Sequence, residues 1–259
     1  MPPVGANIAC DGPHGVDNKG GPLIGALFEN DEALQESLSH GVQGIVVRLD
    51  RYNGQANDAD VIASIYNVVG VNEKTDQTGT AKFDGTDSFI VDSDSVISDG
   101  EMRSKYFDAQ AYVTDNVLVA SIPIFRLRMM IPPSDNSKFE EVIEELRGVQ
   151  LVGKVESEGE NGLRIRNAVL TGRVPLQTMF LKAGPASVCN PDAGSFTAIK
   201  GTVCGSLDMT ADPQADAAAG CDALSFALFL DVVPAQLRNG PKPAPPGKDA
   251  CAPREITCP

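Results

Sequence analysis

Apolar and polar residues alternate with a period of two along much of the chain, and that period predicts strands rather than helices. GIVVRLDRY (44–52) reads this way, with Arg48 set between apolar neighbours, and VIASIYNVVGV (61–71) follows after the turn-rich link NGQANDAD. Residues 72–82 are polar enough to be a loop. Further strands are expected at Ser88–Val91 and over 109–113, 117–122 and 125–131. In AYVTDNVLVASI, Asp115-Asn116 is a two-residue turn between β-rich arms, which is a hairpin signal. VQLVGKVES and GLRIRNAVLTGRV resume the alternation around the turn EGENG, and LSFALFLDVV closes it.

The period lengthens to that of a helix in three places. Leu23, Leu27, Leu34 and Leu38 share a helical face, interrupted at Asp31, so residues 22–40 are expected to form one or two short helices ending at Gly41. Ser137 and Glu140 have the spacing of a capping box, and Phe139, Val142, Ile143 and Leu146 recur at i, i+3, i+4 and i+7. A helix over 137–148 is therefore predicted, with Glu140, Glu141, Glu144 and Glu145 as its solvated face. Phe196, Ile199 and Val203 predict a third short helix, bounded by Cys189 and Cys204.

Short strands at intervals of about ten residues point to a mainly β fold, sandwich-like or jelly-roll-like. A few short helices would lie at its periphery. Three segments are expected: an irregular N-terminal stretch (1–21), a main β-rich domain (22–184) and a Cys-rich C-terminal segment packed on it (185–259). Residues 239–259 hold six prolines and two cysteines with few core-forming side chains, and read as a surface tail pinned by a disulfide.

The formal net charge of −14 repels phosphate backbones and anionic lipid surfaces, which argues against nucleic acid as a partner. Nor does any apolar run reach the roughly 18 residues of a membrane helix. The N-terminus, MPPVGANIAC, carries neither a charged n-region nor an apolar h-region, so compartment is read from the cysteines. There are six: Cys10, Cys189, Cys204, Cys221, Cys251 and Cys258. None sits in a CxxC cluster, and only His14 and His40 could help them bind zinc. An even set crowded towards the C-terminus suits disulfides in an oxidising compartment, which predicts an extracellular, periplasmic or cell-surface protein. The local pairs Cys189–Cys204 and Cys251–Cys258, with Cys10 to Cys221, are the expected bridges.

Chemistry is harder to place. No G-x-S-x-G elbow occurs, and the nearest sequence, Cys204-Gly205-Ser206-Leu207, lacks its shape. His40 before Gly41 suits a helix C-terminus better than a catalytic base. With 35 acidic residues, no carboxylate pair can be nominated for glycoside hydrolysis. Asp50 and Asp231 are the most unusual acids, sitting in apolar strands, and read as strand-end or ion-paired groups. Oxygen-rich loops at 11–18, 57–60 and 84–99 suggest calcium as a cofactor. The candidate ligands are Asp84, Asp87, Asp92 and Asp94, the last two foremost. DSDSVISDGE has no glycine at the sixth loop position, and ordinary turn chemistry accounts for the same residues. Aromatics for stacking on a sugar are few, with no tryptophan and Tyr52, Tyr66, Tyr106 and Tyr112 the only tyrosines. Of these, Tyr112 is expected in the core.

Taken in order, CDGPHGVDN, LDRYNGQANDADV, FDGTDSFIVDSDSV, AYVTDNVLVASIP and NAVLTGRV resemble uncharacterised exported proteins and lipoproteins of myxobacteria. The resemblance implies export and brings no activity with it. NIAC departs from a lipobox because Asn7 stands where an aliphatic residue belongs. The function expected from all of this is a non-enzymatic surface or secreted module, binding a protein or glycan or building the envelope. A glycan-active hydrolase with paired carboxylates is the alternative.

Overall fold

The computed structural model describes residues 18–25, 31–75, 78–97, 102–131, 140–159, 162–179, 181, 194–215, 220–238, 240–244 and 257–258. Nine strands form one curled sheet: β1 (Ile45–Asp50), β2 (Asp58–Val71), β3 (Ser88–Val91), β4 (Tyr106–Thr114), β5 (Val117–Ile131), β6 (Glu140–Ser157), β7 (Leu163–Pro175), β8 (Ala223–Val232) and β9 (Gln236–Leu237). The spatial order is β8-β7-β6-β5-β4-β2-β3-β9, with β1 pairing β2 on its other edge. All pairs are antiparallel except β3 with β9. Three helices accompany the sheet among the described residues: α1 (Gly20–Gly25), α2 (Asp31–Ser39) and α3 (Gly194–Ser206). The mainly β class with a few short helices is thus as the alternation foretold.

The curl follows from which faces are apolar. Val61, Ala63 and Ile65 of β2, Leu118, Ala120 and Ile122 of β5, Leu151 of β6, Leu170 of β7 and Leu224 and Phe226 of β8 belong to one buried cluster. Val47 and Leu49 of β1 pack against that cluster, as do Leu228 and Leu230 of β8. Both ends of the sheet therefore contribute to a single core, which a flat sheet would not allow. The second half of β2 is buried on both faces, because Tyr66 and Val68 pack into smaller clusters with Val91, Val96 and Met102 and with Val71, Ala81 and Phe89.

Local signals come out as the chemistry of the turns requires. Asp115 and Asn116 adopt φ of 49° and 64°, the two left-handed residues of a type I′ hairpin turn, joining β4 to β5. The helical stretch at 22–40 divides into α1 and α2, and Gly41 follows α2 with φ +63°. Of α3, Val203 is fully buried against the main core and Ile199 packs beside it. The segment beyond residue 185 also extends the sheet itself, because β8 pairs with β7 from Ile165↔Val232 to Pro175↔Ala223.

Two expectations are overturned. The helix over 137–148 is instead the start of β6, paired with β5 from Val117↔Lys154 to Ile131↔Glu140. Ser137 and Phe139 lie outside the described residues. A helix would have set Glu140 against Glu144 and Glu141 against Glu145, like charges at i,i+4. The strand sets Glu145 opposite Arg126 and puts Glu141 beside Arg128. Val142 and Leu146, helical at spacing four, share a strand face equally well, and both are buried. Nor are the glutamates a solvated face, since Glu141, Glu144 and Glu145 are all buried. Gly148, expected as a helix stop, carries φ +56° where the β6–β7 register slips between Arg147 and Gln150. It serves as the left-handed residue of a bulge.

The second correction concerns the cysteines. Cys204 is bridged to Cys258, which removes both expected local pairs, Cys189–Cys204 and Cys251–Cys258. Cys221 is also disulfide-bonded, while Cys10, Cys189 and Cys251 lie outside the described residues.

Candidate functional site

The four acids singled out for calcium do not converge. Asp84 is exposed and closes an Asx turn, accepting hydrogen bonds from the Thr86 N–H and hydroxyl at 3.0 and 2.6 Å. These bonds hold its carboxyl below the ordinary range. Asp87 is buried and accepts from the N–H groups of Lys82 (2.8 Å) and Phe83 (2.6 Å) and from Asn72 Nδ2 (3.1 Å). It thereby pins Phe83 at φ +56°, an uncommon conformation for a bulky residue. Asp92 caps the short 3-10 turn Ser93–Ser95 by accepting from the Asp94 N–H at 3.0 Å, and Asp94 itself is exposed. Among the described residues, no three His, Cys, Asp or Glu side chains are grouped as a metal site.

Asp92 instead belongs to a buried charge cluster. Arg128 of β5 is 3% exposed, and its Nε donates to Glu141 Oε1 at 2.8 Å with Asp92 Oδ2 at 3.9 Å. The same guanidinium reaches the carbonyl oxygens of Val68 (3.3 Å) and Val42 (3.5 Å). Asn67 ties the strands alongside, accepting from the Arg128 N–H and donating to the Arg126 carbonyl. Closed on all sides by chain, this cluster holds segments together and offers a ligand no entry.

Burial pushes the Asp92 carboxyl above the ordinary carboxylate range, and the charges of Asp94 and Glu141 add to that, against the Asp94 N–H and Arg128. A raised native value means that Asp92 supports folding fully below its unfolded pKa, and that this support fades as pH rises through the native one. Asp92→Asn keeps an oxygen for the cap and removes the titration. The variant should therefore gain stability relative to the parent as pH rises from about 4 to 7. Urea midpoints taken across that range check this, and the opposite trend would mean that attraction to Arg128 outweighs burial.

An open feature among the described residues lies at the end of the sheet where β4 turns into β5. A cavity of about 330 Å³ is lined there by Tyr52, Gly54, Asn116, Lys154, Val155, Glu156, Ser157 and Leu163. Its walls are held by backbone. The Asn116 N–H donates to the Ala56 carbonyl (2.8 Å), and the Asn116 carbonyl accepts from the Val155 N–H (2.7 Å). Asn57 Oδ1 accepts from the Asp115 N–H (3.1 Å), so the 53–57 loop is tied to the hairpin turn. The Tyr52 hydroxyl donates to the Gln55 carbonyl at 2.9 Å, which fixes the ring's direction.

Lys154 and Glu156 of this lining belong to an ion network on the outward face of β6 and β7. Glu156 receives Lys154 Nζ at 2.8 Å and Arg166 Nε at 2.6 Å, and these two bonds hold its carboxyl below the ordinary range. Arg164 pairs with Glu158 and, at 3.4 Å, with Asp231. Lys154, Arg164 and Arg166 thus balance Glu156, Glu158 and Asp231. Asp231 is ion-paired as expected, and so is Asp50, with Arg48 Nη2 at 2.6 Å.

Other candidates are placed as follows. His40 follows α2, and its Nδ1 lies 3.0 Å from the Gly79 carbonyl, a structural contact. His14 lies outside the described residues. Tyr112 is 42% exposed, not core, because it faces outward opposite Val119. No helix among the described residues is long and apolar enough to cross a membrane. No family model, curated protein or solved structure matches the chain.

Proposed function

We propose that this protein is an exported, non-enzymatic binding module that works at a cell surface or in the medium around it. The observation that carries the reading is the cavity beside the β4–β5 turn, whose lining is preformed by backbone hydrogen bonds. Preformed concave sites with a few placed polar groups are the ordinary form of a small-ligand site. The compartment is supported by the Cys204–Cys258 bridge and the second cystine at Cys221, which belong to an oxidising environment.

A hydrolase working here would need two carboxyls facing one substrate, separated by about 5–9.5 Å. The cavity's lining contains one acid, Glu156, and two cations already hold it ionised. A carboxylate so held is a poor proton donor at neutral pH.

The test is a thermal-shift and calorimetric screen of small polar molecules against the oxidised protein, run with calcium and with chelator, alongside a turnover assay on polysaccharides. A saturating ligand should stabilise the fold by about 2.7 kcal/mol at a hundredfold excess over its dissociation constant. Affinity should be equal with and without calcium, because among the described residues no group of acids, histidines or cysteines is placed to hold a metal. Turnover that disappears on Glu156→Gln would overturn the reading in favour of the hydrolase.

A further inference from the structure

We propose that two copies of this chain associate through the outward face of β6, β7 and β8, with Phe229 of each copy set on Val152 of the other. The association does not depend on what the cavity binds.

The cross-strand register builds an apolar band there. Tyr112 stands opposite Val119, Val119 opposite Val152, Val152 opposite Val169 and Val169 opposite Phe229. Successive residues of a strand point to opposite faces, and the neighbouring Leu118, Leu151, Leu170 and Leu228 belong to the core or pack against it, so these five side chains point outward. The valines are partly exposed and Phe229 is 77% exposed. Largely polar rows border the band. One runs through Ser121, Gln150, Thr171 and Ala227, and the other through Thr114, Val117, Lys154 and Arg166. An apolar patch rimmed in this way marks an interaction surface. The curl of the sheet turns the Tyr112 end away, which leaves Val152, Val169 and Phe229 as the part that one partner can cover.

Charge selects a second copy as that partner. A chain of net charge −14 repels itself wherever acids predominate. Beside the band, cations and anions are instead mixed. Lys154 follows Val152 at the next outward position of β6, and Asp231 follows Phe229 at the next outward position of β8. Arg166, Glu156 and Arg164 complete the set, linked through Lys154–Glu156, Arg166–Glu156 and Arg164–Asp231. A two-fold contact requires a surface that complements itself. An axis running along β7 exchanges β6 with β8. It therefore sets Phe229 against Val152 of the second copy and Lys154 against that copy's Asp231, each unlike pair occurring twice. Val169 meets its own counterpart at the axis. Arg166, also near the axis, is already neutralised by Glu156 at 2.6 Å.

Pairing of two β8 edges is the other way such sheets join, and that edge is occupied in its first half. Asn18 Oδ1 accepts from the Ala227 N–H at 2.8 Å, and its Nδ2 donates to the Ala227 carbonyl at 3.1 Å, as a neighbouring strand would. Contact through the face remains. Residues 150–156 of β6 span about 20 Å, and three strands with their side chains are about as wide. Two copies together bury roughly 1,000 Å² over such a face, the low end for specific interfaces. A dissociation constant in the micromolar range is expected at that size.

Sedimentation equilibrium of the oxidised full chain provides the test. The mass should rise from 27.3 kDa below about 1 µM towards twice that value above about 100 µM. Phe229→Lys and, separately, Val152→Lys should each weaken association at least tenfold. Ile97→Ser, at an exposed apolar position off the band, should leave it unchanged. Asp231→Lys sets like charges opposite one another across the contact and should weaken it about fivefold, and adding Lys154→Asp to the same chain should recover most of that loss. Unfolding midpoints of the dilute monomers, unchanged by these surface substitutions, certify the fold. A chain that stays at 27.3 kDa at about 100 µM overturns the proposal. If that monomer then sediments with phosphatidylcholine vesicles, and Phe229→Lys abolishes this, the band belongs to a lipid surface instead. A dimer that survives both Phe229→Lys and Val152→Lys places the contact elsewhere and overturns the proposal as well. Absence of recovery in the charge-exchanged chain overturns the two-fold axis along β7.

Discussion

Arg128→Met should destabilise the protein by about 3–5 kcal/mol, since removing one partner of a buried ion pair strands the other. Two acids would be left without their partner: Glu141, 2.8 Å from the guanidinium, and Asp92, 3.9 Å from it, each about 4% exposed. The carbonyl oxygens of Val42 and Val68 would lose a donor as well. At roughly 2–4 °C per kcal/mol for a chain of this size, the midpoint should fall by roughly 6–20 °C. Removing all three charges is a different experiment. Arg128→Met combined with Glu141→Gln and Asp92→Asn leaves none of these three charges buried, and should recover most of the loss, because a buried ion pair contributes little over a neutral replacement. Urea denaturation of the parent, the single variant and the triple variant reads this directly. A single-variant loss below about 1 kcal/mol would mean that water reaches the cluster and screens it. That would also remove the reason for placing the Asp92 carboxyl above its ordinary range.

The second large effect concerns the bridge between α3 and the C-terminus. Cys204 and Cys258 lie 54 residues apart in sequence, and the enclosed chain includes β8 and β9. Closing a loop of that length lowers the entropy of the unfolded chain by about 4 kcal/mol in the simple chain model, with 2–4 kcal/mol the common measured range. Cys204→Ala with Cys258→Ala should therefore cost about 2–4 kcal/mol. The change should appear as a lower urea midpoint in oxidised samples, where the cystine at Cys221 persists. Replacing both partners avoids a stray thiol that would reshuffle with the remaining cysteines. Cys204 also packs against the main core, so the bridge anchors the tail to a helix that is itself anchored by Val203. A cost under about 1 kcal/mol would show that α3 and the tail hold their places by packing alone.

Both effects arise from groups whose identity was plain in the sequence and whose partners were not. FRLRMM shows Arg126 and Arg128 alternating with Leu127 and Met129, which reads as a wet face opposite a dry one. Nothing within that hexapeptide says that the wet face is covered. Arg126 stays exposed, but at Arg128 the face is covered because α2, the loop before β1 and the 3-10 turn after β3 all reach it: Ser37 donates to the Met130 carbonyl, Val42 accepts from Arg128, and Asp92 stands opposite. Read jointly, residues 125–131 and 140–147 did contain a clue. Arginines at spacing two face glutamates at spacing four, which complement one another only across a pair of strands.

The sequence by itself determined what depends on neighbours a few residues apart. Period-two alternation located β1, β2, β5, β7 and β8, and Asp115-Asn116 fixed a type I′ turn because few residues tolerate left-handed φ twice in succession. Phe196, Ile199 and Val203 marked α3, and an even set of cysteines crowded towards the C-terminus marked disulfides. Tertiary structure decided what depends on partners far along the chain. Residues 140–148 satisfy a helical and a strand pattern alike, and the unpaired length of β5, with arginines to meet the glutamates, settled them as β6. Six cysteines admit 15 pairings, and the tertiary structure sets Cys204 of α3 against Cys258. The cavity, too, exists only because the 53–57 loop docks on a turn about sixty residues further on. The physical reason is common to all three: a local pattern states which surfaces must be buried, and loop closure in three dimensions states against what.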